Sequence, residues 1–360
     1  MAAPPTTRAQ TRWSVDRDVS LLEVWALVAA FIGLVGAWRL MGVCRAARAG
    51  AKEWLGTLPG LVVCGGIIGG GVISREVRRL NLATMRWRAM PMLVAARSEH
   101  VCCVVRGALV VLGGGHVPHV YTSSVERLSE RGEFVELPPL SCGWISYAAT
   151  IAVEEMNSSA GQVLLLGGLA QLGETGIVST VQLVDLDTGV CTPQPALLHA
   201  RFHSAAAGMP DGRIVRAGGF GDGDVHSTAE MWAPPAHKAV GAAWGWRSLP
   251  AMSVERRGCC GCVMSGGRFA VLGGVLGDNA TTSSCEALVV GATEQWEALP
   301  PMHESRYGFA CVAVARCILV AGGYRRTTGE VYDEVLGRWL RLPYDLPHTG
   351  GLWLTGSTLL

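Results

Sequence analysis

The feature that most constrains this chain is a short apolar run ending in Gly-Gly, which occurs six times. The first glycines of successive pairs are 48, 54, 51, 55 and 49 residues apart. An apolar run that stops at two glycines predicts a buried strand followed by a turn with no room for side chains. Six such strands at similar spacing predict six copies of one structural unit. The pairs are Gly65-Gly66, Gly113-Gly114, Gly167-Gly168, Gly218-Gly219, Gly273-Gly274 and Gly322-Gly323.

The last unit shows what one copy contains. After its glycines, residues 331–333 predict a second strand, and residues 338–340 predict a third strand that ends at Pro343, because proline cannot donate to a sheet. The unit is therefore a small antiparallel sheet. In the other units the place of Tyr332 is taken by Leu80, Leu128, Val184, Trp232 and Leu288. The place of Trp339 is taken by Trp87, Phe134, Cys191, Trp246 and Trp296.

This pattern resembles the kelch repeat family, whose blades carry an apolar strand ending in Gly-Gly, a tyrosine-containing strand and a later tryptophan. A four-stranded unit cannot bury both its faces alone, whereas radial stacking gives every sheet two apolar neighbours. The resemblance implies an all-β fold over residues 58–360, a six-bladed kelch-type β-propeller.

The two ends of the repeat region predict how the ring closes. The first unit begins directly at its Gly-Gly strand, "TLPGLVVCGG", with no earlier strand. The chain ends with "HTGGLWLTGSTLL", an apolar strand with no Gly-Gly strand after it. The first unit thus lacks an initial strand, and the C-terminal strand lacks the Gly-Gly strand that would follow it. We therefore expect the C-terminal strand to complete the first blade and remove an open sheet edge.

Composition narrows the possible partners. Hydrophobic residues make up 49% of the 360 residues and charged residues 16%, with a net charge of +1. This balance shows no electrostatic bias toward nucleic acid or a membrane surface, so we expect neither as a partner. The twelve cysteines fall mainly inside predicted strands. They predict reduced thiols in a compartment such as the cytosol or nucleus.

The N-terminal region differs from the repeats. Residues 1–18 are rich in Pro, Thr and Arg and are expected to be disordered, whereas residues 19–57 are expected to be helical. The most apolar stretch, residues 24–38, has 15 residues, which is short against the ~20 needed to cross a bilayer. A membrane anchor through residues 21–41 stays open as an alternative to a cytoplasmic or nuclear location.

The stretch "FIGLVGAWRLMGVCRAARAGAKEW" resembles the second half of an F-box, with Val43-Cys44-Arg45 as its best-matching residues. An F-box joined to kelch repeats implies a substrate-recruiting adaptor of an SCF-type ubiquitin ligase. Residues 19–57 would then bind the adaptor subunit of the ligase. The alternative is that these helices form a cap on the propeller.

Catalytic, cofactor and metal motifs are not expected. The sequence has no nucleophile elbow, phosphate loop or dinucleotide fingerprint between a predicted strand and helix. The histidines best placed to bind a metal are His116, His119, His199 and His203, and no carboxylate or thiolate joins them at ligand spacing. We therefore predict no catalytic residue, no cofactor and no metal. Propellers of the kelch family include enzymes, so the fold itself does not exclude catalysis.

Four arginines are candidates for partner binding. Arg97, Arg201, Arg256 and Arg306 each precede an apolar strand, so pseudo-symmetry places them at one level near the central channel. Guanidinium groups there could hold the carboxylates of an acidic peptide. The alternative is that each arginine satisfies loop carbonyls between blades. Loops after the Gly-Gly strands, "GETGIVST", "GDGDVHST" and "GDNATTSS", predict the face on which a protein target binds.

The sequence thus favours a non-enzymatic interaction protein, most specifically an F-box/kelch adaptor. Two other functions remain open: a kelch scaffold unrelated to ubiquitin, and a membrane-anchored or secreted kelch lectin or enzyme.

Overall fold

The computed structural model describes residues 21–117, 120–153, 158–170, 176–233, 244–291, 293–348 and 350–360. The chain forms two compact units, Met1–Leu55 and Gly56–Leu360. The expected disordered segment, residues 1–18, lies outside the described residues.

The described part of the first unit contains α1 (Leu21–Leu40) and most of α2 (Arg45–Thr57), so the expected helical region is present. Helix α1 is kinked at Gly33, whose φ of 77° is in the left-handed region. The helices approach closely at Gly50, where a Cβ atom would lie 2.5 Å from the Cβ of Trp25.

Helix α1 is also long and apolar enough to cross a membrane by length and composition, with a mean hydropathy of 2.0. A helix at the core of a soluble protein can meet the same criteria. Several of its apolar side chains are exposed, among them Leu27 at 67% and Phe31 at 83%.

The second unit contains six four-stranded antiparallel sheets, the blades, with strands numbered along the chain. Blade 1 contains β1 (Leu61–Cys64), β4 (Val77–Asn81), β5 (Arg86–Met90) and β31 (Gly356–Leu359). Blade 2 contains β6 (Val101–Val105), β7 (Ala108–Leu112), β10 (Val125–Leu128) and β11 (Phe134–Leu137). Blade 3 contains β12 (Ala149–Val153), β13 (Gln162–Leu169), β14 (Ile177–Asp185) and β15 (Cys191–Gln194).

The remaining blades repeat this arrangement. Blade 4 contains β16 (Ala205–Gly208), β17 (Ile214–Ala217), β20 (Ala229–Ala233) and β21 (Gly245–Leu249). Blade 5 contains β22 (Cys260–Val263), β23 (Phe269–Leu272), β24 (Cys285–Val289) and β25 (Gln295–Leu299). Blade 6 contains β26 (Ala310–Val314), β27 (Cys317–Ala321), β28 (Gly329–Asp333) and β29 (Arg338–Arg341).

Short strands follow three of the Gly-Gly pairs. Strands β2 (Ile67–Ile68) and β3 (Val72–Ile73) form a sheet with β30 (Leu352–Trp353). Strands β8 (Gly115–Val117) and β9 (Val120–Tyr121) pair, as do β18 (Phe220–Gly221) and β19 (Asp224–Val225). Because they follow equivalent turns, these hairpins rise from the same end of the ring.

The three predicted loops have different outcomes. Residues 277–284 form a loop outside the named strands, and residues 221–228 contain the turn of the β18–β19 hairpin. Residues 173–180 were wrongly expected to be a loop throughout: 173–175 lie outside the described residues, and Ile177 onward belongs to β14. The β-branched residues of "IVST" favour the strand over a loop.

The ring is closed as the sequence predicted. Strand β31 pairs antiparallel with β1, from Leu61 opposite Leu359 to Cys64 opposite Gly356. The innermost strands β31, β6, β12, β16, β22 and β26 contact one another in that order, and β26 contacts β31 again. The first blade therefore has its inner edge covered by the C-terminal strand.

The positions of Tyr332 and Trp339 recur in every blade. Tyr332 lies opposite Trp339 on neighbouring strands, with ring centroids 5.3 Å apart. The five equivalent pairs are Leu80–Trp87, Leu128–Phe134, Val184–Cys191, Trp232–Trp246 and Leu288–Trp296. The sequence alignment of the repeats is thus confirmed in all six blades.

The described core lies between neighbouring blades. One cluster joins Leu272 and Cys285 of blade 5 to Val320 and Tyr332 of blade 6, and similar clusters lie between other adjacent blades. Eight of the twelve cysteines are buried, and they behave as small apolar residues there. The propeller is consequently held together by layers of apolar side chains across each blade interface.

Candidate functional site

The four candidate arginines are all buried inside their own blades. Their exposed fractions are 0% for Arg97, Arg201 and Arg256 and 1% for Arg306. Each Nη1 donates to the carbonyl of the first glycine in its own blade. These Nη1–O distances are 3.0 Å to Gly113, 2.9 Å to Gly218, 3.0 Å to Gly273 and 2.7 Å to Gly322.

Each arginine also has a glutamate partner that the sequence analysis missed. Arg256 pairs with Glu286 at 2.8 Å and Arg306 with Glu330 at 3.0 Å. The other ion pairs are Arg201–Glu230, at 3.3 Å, and Arg97–Glu126. Burial lowers the pKa of Arg306, whereas the Glu330 carboxylate opposes that shift.

A signal for these glutamates was present in the sequence. Each lies two residues before the Tyr332-equivalent position of its blade. Blade 1 has Arg78 at that place and blade 3 has Gln182. The same two blades have Leu352 and Ile145, not arginine, at the arginine place. Arginine and glutamate therefore occur together in four blades and are both missing from the other two.

This geometry matches the alternative in which the arginines satisfy loop carbonyls. The Arg256 guanidinium also donates to the carbonyl of Ser284 at 2.9 Å and to its hydroxyl at 3.0 Å. A ligand in the channel would have to displace these bonds to reach it. The four arginines do lie at equivalent positions, as expected, but their guanidinium groups are not open to a partner.

The Gly-Gly pairs connect neighbouring blades. The N–H of Gly323 donates at 2.7 Å to the carbonyl of Leu352, the residue at the arginine place of the next blade. Gly322 has a φ of 74°, and a Cβ atom on it would lie 2.6 Å from that same carbonyl oxygen. Both the backbone angle and the close approach therefore require glycine. The equivalent bond occurs at all five other blade junctions.

A second set of backbone bonds closes a ring around the channel mouth. Two residues after the arginine place, each blade contributes one residue with positive φ, between 51° and 62°. The N–H of each donates to the carbonyl of its counterpart in the preceding blade, at 2.8 to 3.4 Å, until the ring returns to its start. We call these six positions the mouth ring: Leu354, Glu99, Tyr147, His203, Gly258 and Gly308.

The mouth ring surrounds the entrance of the central channel. Below it lies a cavity of about 230 Å³ lined by the innermost strands of all six blades. The backbone of the ring is the same in every blade, but its side chains are a carboxylate, a phenol, an imidazole, an isobutyl group and two glycines. The scaffold therefore leaves these side chains free to differ.

Glu99 lies in a polar and aromatic part of the mouth. Its carboxylate accepts a hydrogen bond from the Ser146 hydroxyl at 3.1 Å. Burial, followed by the Glu99 charge, raises the pKa of Tyr121 to about 12 and that of Tyr147 above its usual range. Tyr121 stacks on Trp144 with ring centroids 4.7 Å apart. Both phenols consequently stay neutral hydrogen-bond donors at physiological pH.

His203 is the only imidazole of the mouth ring. Its ring lies edge-on to Tyr147 with centroids 3.9 Å apart. Burial, assisted by the positive charge of Arg257, lowers the pKa of His203 to about 3. The imidazole is therefore neutral near pH 7.

The histidine candidates for metal binding are dispersed. His119 lies outside the described residues. His116 donates through Nδ1–H to the carbonyl of Ala96 at 2.8 Å, and His203 belongs to the mouth ring. Within the described ranges, no group of three His, Cys, Asp or Glu side chains is placed to hold a metal ion.

Residues 96–141 match the Kelch motif. They span the strands of blade 2. The fold is a kelch-type β-propeller. Among solved structures, "Structure of YjhT" matches this chain with a TM-score of 0.62 and 13% sequence identity, covering 79% of this chain and 98% of that one. At this identity the likeness supports the kelch-type fold alone. Curated protein sequences give no match to the chain.

Proposed function

We propose that this kelch-type propeller is a protein-interaction module whose target binds across the channel mouth. The observation that carries the proposal is the contrast within the mouth ring. Its backbone hydrogen bonds are repeated six times, whereas its four side chains are chemically different from one another: those of Leu354, Glu99, Tyr147 and His203. Repeated residues such as Arg256 hold the scaffold, so the varied residues are those available for recognition.

Aromatic side chains near the mouth support a protein target. Tyr324 is 38% exposed, and its ring lies 4.9 Å from Trp353 and 5.2 Å from Tyr307, measured between centroids. Tyrosine, tryptophan and arginine are enriched at protein interfaces because they combine apolar area with hydrogen bonding. The cluster of these three aromatic residues offers such a contact area beside the channel.

We propose that the channel mouth binds its target without catalysing a reaction. His203 has no hydrogen-bond partner at Nε2 among the described residues, so no described hydroxyl or thiol is activated by it there. A nucleophile held by a base, which is in turn held by a carboxylate, is the usual arrangement for covalent catalysis. The described mouth residues do not form that arrangement around His203.

Affinity capture from a cell extract tests the proposal when mouth variants are compared with a distant control. Tyr324→Ser and Glu99→Gln should each reduce recovery of the captured target. Val335→Ser, at an exposed position in the β28–β29 turn, should leave recovery unchanged. Equal recovery by all three variants, each with a native melting curve, would overturn the proposal.

The more specific function is an SCF-type adaptor located in the cytosol or nucleus, with residues 19–57 bound to the adaptor subunit of the ligase. It is supported by two helices preceding the propeller and by the exposed apolar side chains of Leu27 and Phe31. Exposed apolar side chains on one helix are typical of a partner-binding surface.

Pull-down of the purified ligase adaptor subunit tests this function. The full chain should bind it, and the Leu27→Asp/Phe31→Asp variant and a chain lacking residues 1–57 should not. Failure of the full chain to bind would leave a kelch scaffold unrelated to ubiquitin. Carbonate-resistant recovery in the membrane fraction would instead support the anchor through residues 21–41.

A further inference from the structure

A cavity of about 390 Å³ lies beside the mouth ring, between the loops of blades 5 and 6. We call it the Arg257 cavity. The residues that matter for its chemistry are Arg257, Asn279, Thr281, Tyr307 and Tyr324, with His203 at the side of the channel. Its lining thus combines a cation with several hydrogen-bonding groups.

Arg257 differs from Arg256, the residue before it. Arg256 is buried and paired with Glu286, whereas Arg257 is only partly buried and forms no ion pair with any described carboxylate. Its Nη2 donates to the Asn279 side-chain oxygen at 3.0 Å, and its guanidinium lies 5.6 Å from the centre of the Phe220 ring. The buried Nε–H has no described partner. Arg257 is therefore held in place, while some of its N–H donors have no described partner.

A second guanidinium adds positive charge next to Tyr324, which lines the cavity. The Cζ atom of Arg325 lies 5.1 Å from the centre of the Tyr324 ring, and Arg325 too has no ion pair among the described side chains. Burial raises the pKa of Tyr307, and the charges of both arginines act against that rise. Tyr307 therefore lies within the field of two arginines whose charge is not neutralised by a described partner.

The neighbouring imidazole does not compete for an anion. Because His203 is neutral near pH 7, it adds no charge of its own beside Arg257. Two mouth-ring residues line the cavity, His203 and Gly258, and Gly258 has no side chain to stand between the channel entrance and the cavity. A segment lying across the mouth can therefore place a short side chain in the Arg257 cavity.

We infer that the Arg257 cavity binds a carboxylate of the target segment, with Arg257 as the principal donor. Arginine presents parallel N–H groups that match a carboxylate, and a cation without a described anionic partner inside a cavity favours an anion. Thr281 adds a hydroxyl at the wall, and Tyr307 and Tyr324 provide apolar surface for the neighbouring residue of the segment. The inference rests on the proposed function, since it specifies what the mouth recognises.

Small probes test the site directly on the full chain. N-acetylglutamate amide carries a side-chain carboxylate, N-acetylalanine carries only a terminal carboxylate, and N-acetylglutamine amide is the neutral control. By ligand-detected NMR, at least one carboxylate probe should bind about tenfold more tightly than the glutamine probe, as expected for a charge-assisted hydrogen bond. The stronger of the two identifies the source of the carboxylate.

Variants distinguish binding in the Arg257 cavity from a general effect of the positive charge of the protein. Arg257→Gln should remove the preference for carboxylate, and Arg257→Lys should keep only part of it because lysine lacks the two-pronged geometry. Asn279→Ala keeps the charge and removes the bond that orients it, so it should weaken binding less than Arg257→Gln. Arg316→Gln, exposed in the turn between β26 and β27, is the matched control and should change nothing. Melting curves establish that each variant is folded.

Three results would overturn the inference: binding of both carboxylate probes no tighter than that of the glutamine probe, unchanged binding by folded Arg257→Gln, or preferred binding of inorganic phosphate. Target capture distinguishes this failure from failure of the proposed function. If Tyr324→Ser loses the target and Arg257→Gln retains it, the mouth binds the target without the carboxylate site. If both retain it, the mouth is not the binding surface.

Discussion

Arg256 and Glu286 form a 2.8 Å ion pair in which neither side chain is more than 5% exposed. Removing one partner of a buried pair leaves the other charge without compensation. We expect Arg256→Ala to lower the free energy of unfolding by about 3–5 kcal/mol. Chemical denaturation measures this loss.

Arg213→Ala is the matched control for this pair. Arg213 binds Asp211, but those side chains are 24% and 52% exposed, so the loss should be about 0–1 kcal/mol. Similar stability of Arg256→Ala and wild type would show that the arginine is not part of the scaffold. It would then return to the set of candidate binding residues.

Gly322→Ala should destabilise the propeller more than Gly337→Ala. Both glycines have positive φ, 74° and 62°, which costs a residue with a Cβ about 1–2 kcal/mol. A Cβ at Gly337 has open space, whereas one at Gly322 meets the carbonyl of Leu352 at 2.6 Å. The difference between the two unfolding free energies measures the blade contact. Equal losses would mean that the contact relaxes without cost.

Deleting residues 350–360 should abolish cooperative melting and cause aggregation. The deletion removes β31 and exposes the hydrogen-bonding edge of β1. Thermal melting and size-exclusion chromatography record the two effects. A full chain with an eleven-residue polar extension at its C-terminus controls for changes near that end. A monomer with the wild-type melting curve after deletion would disprove ring closure by β31.

The stability of the propeller should depend on His203 at acidic pH. Folding lowers the pKa of His203 from 6.5 to about 3. Below pH 6.5 the unfolded chain binds a proton there that the folded chain does not, so folding stability falls until pH reaches about 3. His203→Gln should therefore lose less stability between pH 7 and pH 4 than wild type does. Parallel losses in both proteins would contradict the lowered pKa.

Cys191 should be alkylated at lower pH than an ordinary thiol. A hydrogen bond from the Cys142 thiol is the main cause that lowers the pKa of Cys191, to about 6, against the opposing effect of burial. The rate of reaction with iodoacetamide, followed by peptide mass spectrometry, should therefore rise with a midpoint near pH 6. In Cys142→Ala the midpoint should move upward. A midpoint that stays the same in this variant would exclude Cys142 as the cause.

The repeat pattern was sufficient to predict the sheets, because a strand buried on both faces of its sheet is apolar along nearly its whole length. The unequal ends also predicted β31 as the closing strand, and the Tyr332–Trp339 alignment predicted six cross-strand pairs. The arginines were placed at the correct level, but their burial depends on Glu286 and its equivalents. Those glutamates are distant in sequence and were recognisable only by comparing all six blades.

The mouth ring was harder to predict than the blades. Gly258 and Gly308 are compatible with positive φ, but Glu99, Tyr147 and His203 rarely adopt it. Their conformation is imposed by hydrogen bonds to the neighbouring blades, which form only when the ring is complete. Likewise, nothing local in the sequence distinguishes the buried Arg256 from the partly exposed Arg257.

The pairing of β31 with β1 also affects how this protein is made. Cys64 and Gly356 are neighbours in the first blade, yet 292 residues separate them along the chain. At a synthesis rate of roughly 5–20 residues per second, β1 waits about 15–60 seconds on the ribosome before its partner exists. During that interval the oldest blade has an unpaired edge, so cotranslational chaperones would matter most for the part of the propeller that emerges first.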